Sequence, residues 1–171
     1  MNVLILCTAN SARSILGEAI LNKVGAGRFR AYSAGSHPRG VPNPRAIDLL
    51  SGLGYPTADL RSKSWDEFAG DDAPKIDLVI TVCDAAAGEA CPLWTGAPLK
   101  AHWGIPDPAG APGGIDAECA AFRLAHDRLL ARMTALVALP VETMAAADIK
   151  RQLGEIAKLE GATDAAVTGK V

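Results

Sequence analysis

Cys7 closes the apolar run Val3-Leu4-Ile5-Leu6, and Arg13 follows six residues later, so a thiol and a guanidinium bracket one short loop, Cys7-Thr8-Ala9-Asn10-Ser11-Ala12-Arg13-Ser14. A β run that feeds small residues and then a helical pattern (Leu16, Ala19, Ile20, Val24) is the strand-loop-helix geometry in which successive backbone N–H groups point at one centre. The helix N-terminus adds positive potential there. Such a loop binds an oxyanion and holds a nucleophile inside it. Both effects favour a thiolate, and cysteine pKa values in places like this fall from about 8.5 to roughly 3.5–7.5. The planar fork of Arg13 can grip two oxygens of a tetrahedral anion, which a point charge cannot. A lone cysteine at a strand end is more often structural. Here the strand end, the small-residue loop, Arg at +6 and Ser at +7 coincide, and together they favour chemistry.

Three further cysteines need sorting. Cys83 ends another apolar run and Cys91 follows in Cys83-Asp84-Ala85-Ala86-Ala87-Gly88-Glu89-Ala90-Cys91-Pro92. A metal site needs partners, and the histidines at 37, 102 and 126 have no close paired spacing with these thiols, so no metal is expected. Two readings stay open: a thiol relay, with one sulfur at the active edge and a second to take over the disulfide, or two unrelated loop cysteines. Cys119 lies on an apolar helical stripe and is expected to be a buried packing residue. Asp107, in Ile105-Pro106-Asp107-Pro108, is a candidate general acid on a loop stiffened by proline, although Asp before Pro is also ordinary turn chemistry. His37 and His102 are weaker catalytic candidates, and His126, on the same stripe as Cys119, is expected to be an interior histidine with its partners satisfied.

The elements that must carry these groups read as α/β. Strands are expected over Val3 to Leu6, Phe29 to Ser33, Leu78 to Val82 and Pro98 to Trp103, with helical patterns between them, hence a parallel sheet with right-handed crossovers. Arg45 to Leu53 reads as a helix, Trp65 and Phe68 as a short one, and Ile115, Cys119, Phe122, His126, Leu129, Met133 and Leu136 recur at the alternating spacings of a long helix facing the sheet. The expectation is a three-layer open fold: four parallel strands, helices on both faces, the anion loop at the carboxyl end of the first strand. Residues 1–139 form the catalytic domain in this reading. Residues 140–171 form a C-terminal extension: an amphipathic helix within Glu142 to Glu160, then a frayed tail from Gly161.

The 171 residues, 49% hydrophobic and 21% charged, suffice for one well-filled domain. A net charge of −2 and a pI near 5.9 argue against a nucleic-acid or polyanion surface, so any anion affinity is local and the substrate small. No apolar stretch approaches the ~20 residues of a membrane span and no signal-peptide pattern opens the chain, so a cytoplasmic protein with reduced cysteines is expected.

Cys7 to Ser14, Tyr32-Ser33-Ala34-Gly35, Val82-Cys83-Asp84, Cys91-Pro92 and His102-Trp103-Gly104 with Asp107-Pro108 together resemble the low-molecular-weight tyrosine phosphatase superfamily, and more narrowly the arsenate reductases built on that fold. The resemblance spans residues 1 to 139 and rests on separated elements recurring in order. It implies that Cys7 is the nucleophile, that Arg13 and the amides of Thr8, Ala9, Asn10, Ser11, Ala12 and Ser14 bind arsenate, and that Asp107 is the acid. Asn10 and Ser14 would steady the loop and the thiolate. It also implies that Cys83 and Cys91 are the second and third redox thiols, with thioredoxin, or alternatively glutathione and glutaredoxin, as reductant of a monomeric enzyme that needs no cofactor. Three departures accompany it. The Cys83 to Cys91 interval is one residue longer than in the thioredoxin-linked type. Glu18 and Ser33 match two positions of a potassium site in those members, whereas Ser64 stands where its aspartate would. Alanine occupies position 109, where phosphatases of the superfamily place an aromatic residue; phosphatase activity and non-catalytic oxyanion sensing are the alternative functions. If Asp84 to Ala90 is helical, the Cα atoms of Cys83 and Cys91 lie about 12 Å apart. A disulfide spans roughly 4.4–6.8 Å, so joining them would unwind this segment, with Gly88 its weak point.

Overall fold

A computed structural model describes residues 1–88 and 99–169. Four parallel strands, β1 (Asn2–Leu6), β2 (Arg30–Ala34), β3 (Leu78–Thr81) and β4 (Leu99–His102), lie in the order β2-β1-β3-β4. With β1 central, its carboxyl end lies between those of β2 and β3. A loop leaving Leu6 therefore opens where the strand order reverses, the place at which open α/β sheets build their sites.

The continuous apolar run of β1 is explained by burial on both faces. Val3 and Ile5 enter the larger core with Leu78 and Ile80, while Leu4 and Leu6 enter a smaller one with Ala34, Phe68, Ile76 and Val79, as the two-residue period of a strand requires. The larger core is closed by α1 (Arg13–Val24), α2 (Pro44–Gly52), α4 (Gly114–Ala138) and α5 (Ala146–Ala157). The smaller is covered by a single 3-10 turn, Trp65–Phe68, whose N-cap Ser64 accepts from the Asp66 amide. α2 starts as its sequence dictates: Asn43 caps it by accepting from the Arg45 amide, and Pro44 occupies the first turn, where no donor is needed.

Two expectations are corrected. The apolar stripe of α4 is buried only from Phe122 onward; Ile115 is 63% exposed and Cys119 is exposed. Twenty-five residues of helix run to about 37 Å, well over twice the length of the four- and five-residue strands, and the exposed first turns of α4 overhang the core. The frayed tail is likewise absent up to residue 169. α6 (Asp164–Thr168) follows α5, with Thr163 capping it from the Ala166 amide, Gly169 ending it at φ 65°, and Ala166 buried. Its anchoring is polar and short-sided, which no apolar periodicity could announce.

α5 docks into the main core through Ile149, Leu153 and Ile156, and the indole of the fully buried Trp103 donates to the Leu153 carbonyl at 3.1 Å. α3 (Asp84–Gly88) follows β3 directly, its Ala86 buried. Among the described residues no helix is long and apolar enough to cross a membrane.

Candidate active site

The Cys7–Ser14 loop is held from outside by its carbonyls. Those of Thr8, Ala9 and Ser11 accept from the amides of His37, Arg39 and Asn43 at 2.9, 3.1 and 2.8 Å. In a planar trans peptide the next residue's N–H points the opposite way. The amides of Ala9, Asn10 and Ala12 are thereby turned away from the 36–43 segment. Gly35, at the end of β2, lies so close that a Cβ there would overlap the carbonyl oxygens of Cys7 and Thr8 and the Asn10 amide; only glycine fits. α1 begins at Arg13 without a side-chain cap and with no acidic residue in its first turn, which leaves its positive end turned to the loop.

Asn10 takes a left-handed conformation, φ 41°, and is fully buried. Its side chain fixes that shape: Nδ2 donates to the hydroxyls of Ser14 and Ser33 at 2.9 Å each, and Oδ1 accepts from the Lys63 amide at 2.8 Å. Ser14 in turn meets the sulfur of Cys7 at 2.9 Å. Behind Ser33 stands Glu18, which accepts from the Ser33 hydroxyl and faces the Lys63 ammonium at 3.4 Å. Burial pulls the Lys63 pKa down, against the pull of Glu18. Lys63 was not singled out by its sequence, since nothing local marks a lysine for burial. Because its ammonium already faces Glu18, the residues here do not fit a potassium ion.

Arg13 sits at the mouth of the loop but is engaged elsewhere. Its guanidinium donates to the Ile105 carbonyl at 3.0 Å and to Asp107 Oδ2 at 2.6 Å, while Asp107 Oδ1 accepts from the Ala109 amide. This corrects the expectation of a depressed thiol pKa. Burial pushes the Cys7 thiol above its ordinary value; the Ser14 hydroxyl and amide oppose this, the nearby Cys83 adds to it, and Arg13, turned to Asp107, contributes least.

Cys83 is buried at the carboxyl end of β3, beside the loop. Its sulfur lies 3.7 Å from the Thr8 hydroxyl and accepts from the Ala86 amide at 3.4 Å in the first turn of α3. Beside it, Asp84 meets His102 Nε2 at 2.9 Å, and His102 Nδ1 meets the Thr81 hydroxyl at 2.9 Å. Cys7, Arg13, Cys83 and Asp107 thus converge on one sheet edge. Cys91 lies outside the described residues. Cys119 is exposed on the overhang of α4, and His126 is interior, between the Tyr55 hydroxyl at 3.0 Å and Asp127 at 2.9 Å. A thiol in an anion-shaped loop, a second thiol next to it and a guanidinium-carboxylate pair at the mouth can carry nucleophilic attack on a tetrahedral oxyanion followed by thiol-disulfide exchange.

Residues 2–152 match the low molecular weight phosphotyrosine protein phosphatase family. The chain is 35% identical over 124 residues to the arsenate reductase of Halalkalibacterium halodurans, a match covering 72% of this chain and 86% of that protein. It is 32% identical to the arsenate reductase of Bacillus subtilis over the same shares. Among solved structures, an arsenate reductase from Archaeoglobus fulgidus superposes with a TM-score of 0.62 at 28% identity, covering 80% of this chain and 99% of that one.

Proposed function

This chain belongs to the low molecular weight phosphotyrosine protein phosphatase family, and from that premise we propose that it is an arsenate reductase whose Cys7 and Cys83 supply the two electrons. The observation that carries the thiol chemistry is the pairing of two buried thiols at one sheet edge: a phosphatase needs only one of them.

In this reading arsenate enters the loop, bound by the amides of Thr8 to Ser14 and by Arg13, whose fork exchanges Asp107 for two arsenate oxygens. The Cys7 thiolate attacks arsenic while Asp107, released from Arg13, protonates the departing oxygen, which leaves as water. A sulfur–arsenic bond now joins enzyme and substrate. Cys83 then attacks the Cys7 sulfur, the electron pair of the sulfur–arsenic bond stays on arsenic, and arsenite departs. Arsenic has gained two electrons and the Cys7–Cys83 disulfide has lost them. Cys91 attacks Cys83, frees Cys7 and presents a Cys83–Cys91 disulfide to thioredoxin. The protein works as a cytoplasmic monomer in this scheme. Residues 1–139 carry the chemistry, and residues 140–169 buttress them.

The test pairs two assays on the purified chain. Arsenite should form from arsenate with thioredoxin, thioredoxin reductase and NADPH. Cys7→Ser should abolish this while leaving the circular dichroism spectrum unchanged, because a serine hydroxyl is far less ionised than the thiol. Aryl phosphate hydrolysis without arsenite formation would make the chain a phosphatase. Turnover with glutathione and glutaredoxin alone, Cys91 being dispensable, would replace thioredoxin as the reductant.

A further inference from the structure

The C-terminal segment reaches back to the turn that carries Cys83. Thr163 donates its hydroxyl proton to Asp84 Oδ1 at 2.7 Å, and its backbone N–H donates to the Gly104 carbonyl at 3.0 Å. Asp84 is the residue after Cys83 and the first of α3, and the same carboxylate oxygen meets His102 Nε2. Three polar groups thus converge over Gly104: a Cβ there would overlap the Thr163 hydroxyl and the Asp84 carboxylate and come within 2.7 Å of His102 Nε2. The segment that brings Thr163 here is itself pinned. Arg132 of α4, completely buried, donates to the carbonyls of Leu159 and Glu160 at 2.7 and 3.2 Å, just beyond the end of α5. Trp103, next to Gly104, holds Leu153 from the other side. Between these anchors Thr163 has little freedom.

We propose that Thr163 is a positioning residue for Cys83, through Asp84: the C-terminal segment clamps the first turn of α3 and so sets how readily the Cys83 thiol is presented to a sulfur electrophile. The physical reason is that Cys83 is only 3% exposed, so any reaction of its sulfur outside the fold requires local opening of the turn that the Ala86 amide and Asp84 close. Local openings of this kind have their own free energy, below that of global unfolding, and a hydrogen bond to a carboxylate that is made only in the closed form raises it. The significance for arsenate reduction rests on the function proposed above, in which Cys83 must leave this turn to pass its disulfide on. The clamp itself is a statement about the reduced protein.

The experiment therefore uses the full chain without arsenate. In a Cys7→Ser, Cys91→Ser, Cys119→Ser background Cys83 is the sole thiol, and its rate of reaction with iodoacetamide reports the opening. Thr163→Val should accelerate labelling by about 5- to 10-fold, the effect of one lost charge-assisted hydrogen bond. Thr163→Ser, which keeps the hydroxyl, should stay close to the parent rate. Amide exchange followed by mass spectrometry should quicken in 84–88 while 149–156 in α5 stays protected. Unchanged labelling in Thr163→Val, equal acceleration in Thr163→Ser, or faster exchange confined to α6 would each overturn the clamp. General acceleration across α5 and the sheet would also overturn it, by showing an ordinary loss of stability. Since labelling needs no substrate, a failure here is distinct from a failure to reduce arsenate.

Discussion

Arg13 and Asp107 restrain one another at 2.6 Å at the mouth of the loop that holds Cys7. While the guanidinium faces Asp107 it does little for Cys7, whose thiol is left under the control of burial. Asp107→Asn removes a negative charge at the mouth of the loop and loosens Arg13. The ionisation midpoint of Cys7, followed by thiolate absorbance near 240 nm in a protein whose other cysteines are serine, should move down. A midpoint that stays or rises would show that the pair does not control the thiol. The raised pKa also has a stability consequence. A thiol whose folded pKa exceeds its unfolded value contributes stability in full below the unfolded value of about 8.5, and loses it as pH rises toward the folded pKa. The urea midpoint should therefore fall more steeply above about pH 8.5 in the native sequence than in Cys7→Ala. Parallel curves would mean that the two states hold the Cys7 proton alike.

Helix α4 is a single continuous element whose ends live in different environments. From Phe122 to Leu136 its apolar stripe packs against α1, α2 and α5; before that Glu118 still pairs with Arg45 of α2, while Ile115 and Cys119 face solvent. Cys119→Ser should accordingly change unfolding free energy by no more than about 0.5 kcal/mol, the scale of an exposed substitution. A buried cysteine would lose about 1–3 kcal/mol through an unsatisfied hydroxyl. Denaturant titration distinguishes the two values, and the larger would place the overhang against a surface.

Across the whole molecule, the segment after residue 140 completes the core and is tied to the site's edge. Leu153 is 1% exposed in the main core, and its carbonyl satisfies the buried indole of Trp103, two positions after Ala101 in β4. Leu153→Ala should cost about 2–5 kcal/mol, as buried leucine truncations do, measured from urea unfolding. A chain ending at Leu139 would also leave the Trp103 indole without its acceptor and Arg132 with only the Arg128 carbonyl, so it should fail to unfold cooperatively. A sharp two-state transition in that truncated chain would show that residues 1–139 stand alone.

The Cys7 to Ser14 loop was legible from sequence because its signal is local: an apolar run, small residues and a helical period follow one another within a dozen positions, and backbone geometry does the rest. The strands and α2 were readable for the same reason, since alternation, caps and proline act over three or four residues. Phe122 to Leu136 likewise followed from periodicity, which states which residues share a face but not what that face meets. Hence Cys119 was misplaced: only the lengths of the packed elements decide where a stripe runs out of partners. Tertiary structure alone decided that Arg13 faces Asp107 across 94 residues of chain, that Lys63 is buried against Glu18, and that Thr163 closes on Asp84. In each case a polar group's behaviour is set by which charged group stands beside it, and Coulombic and desolvation energies depend on distance in space, which sequence order does not encode.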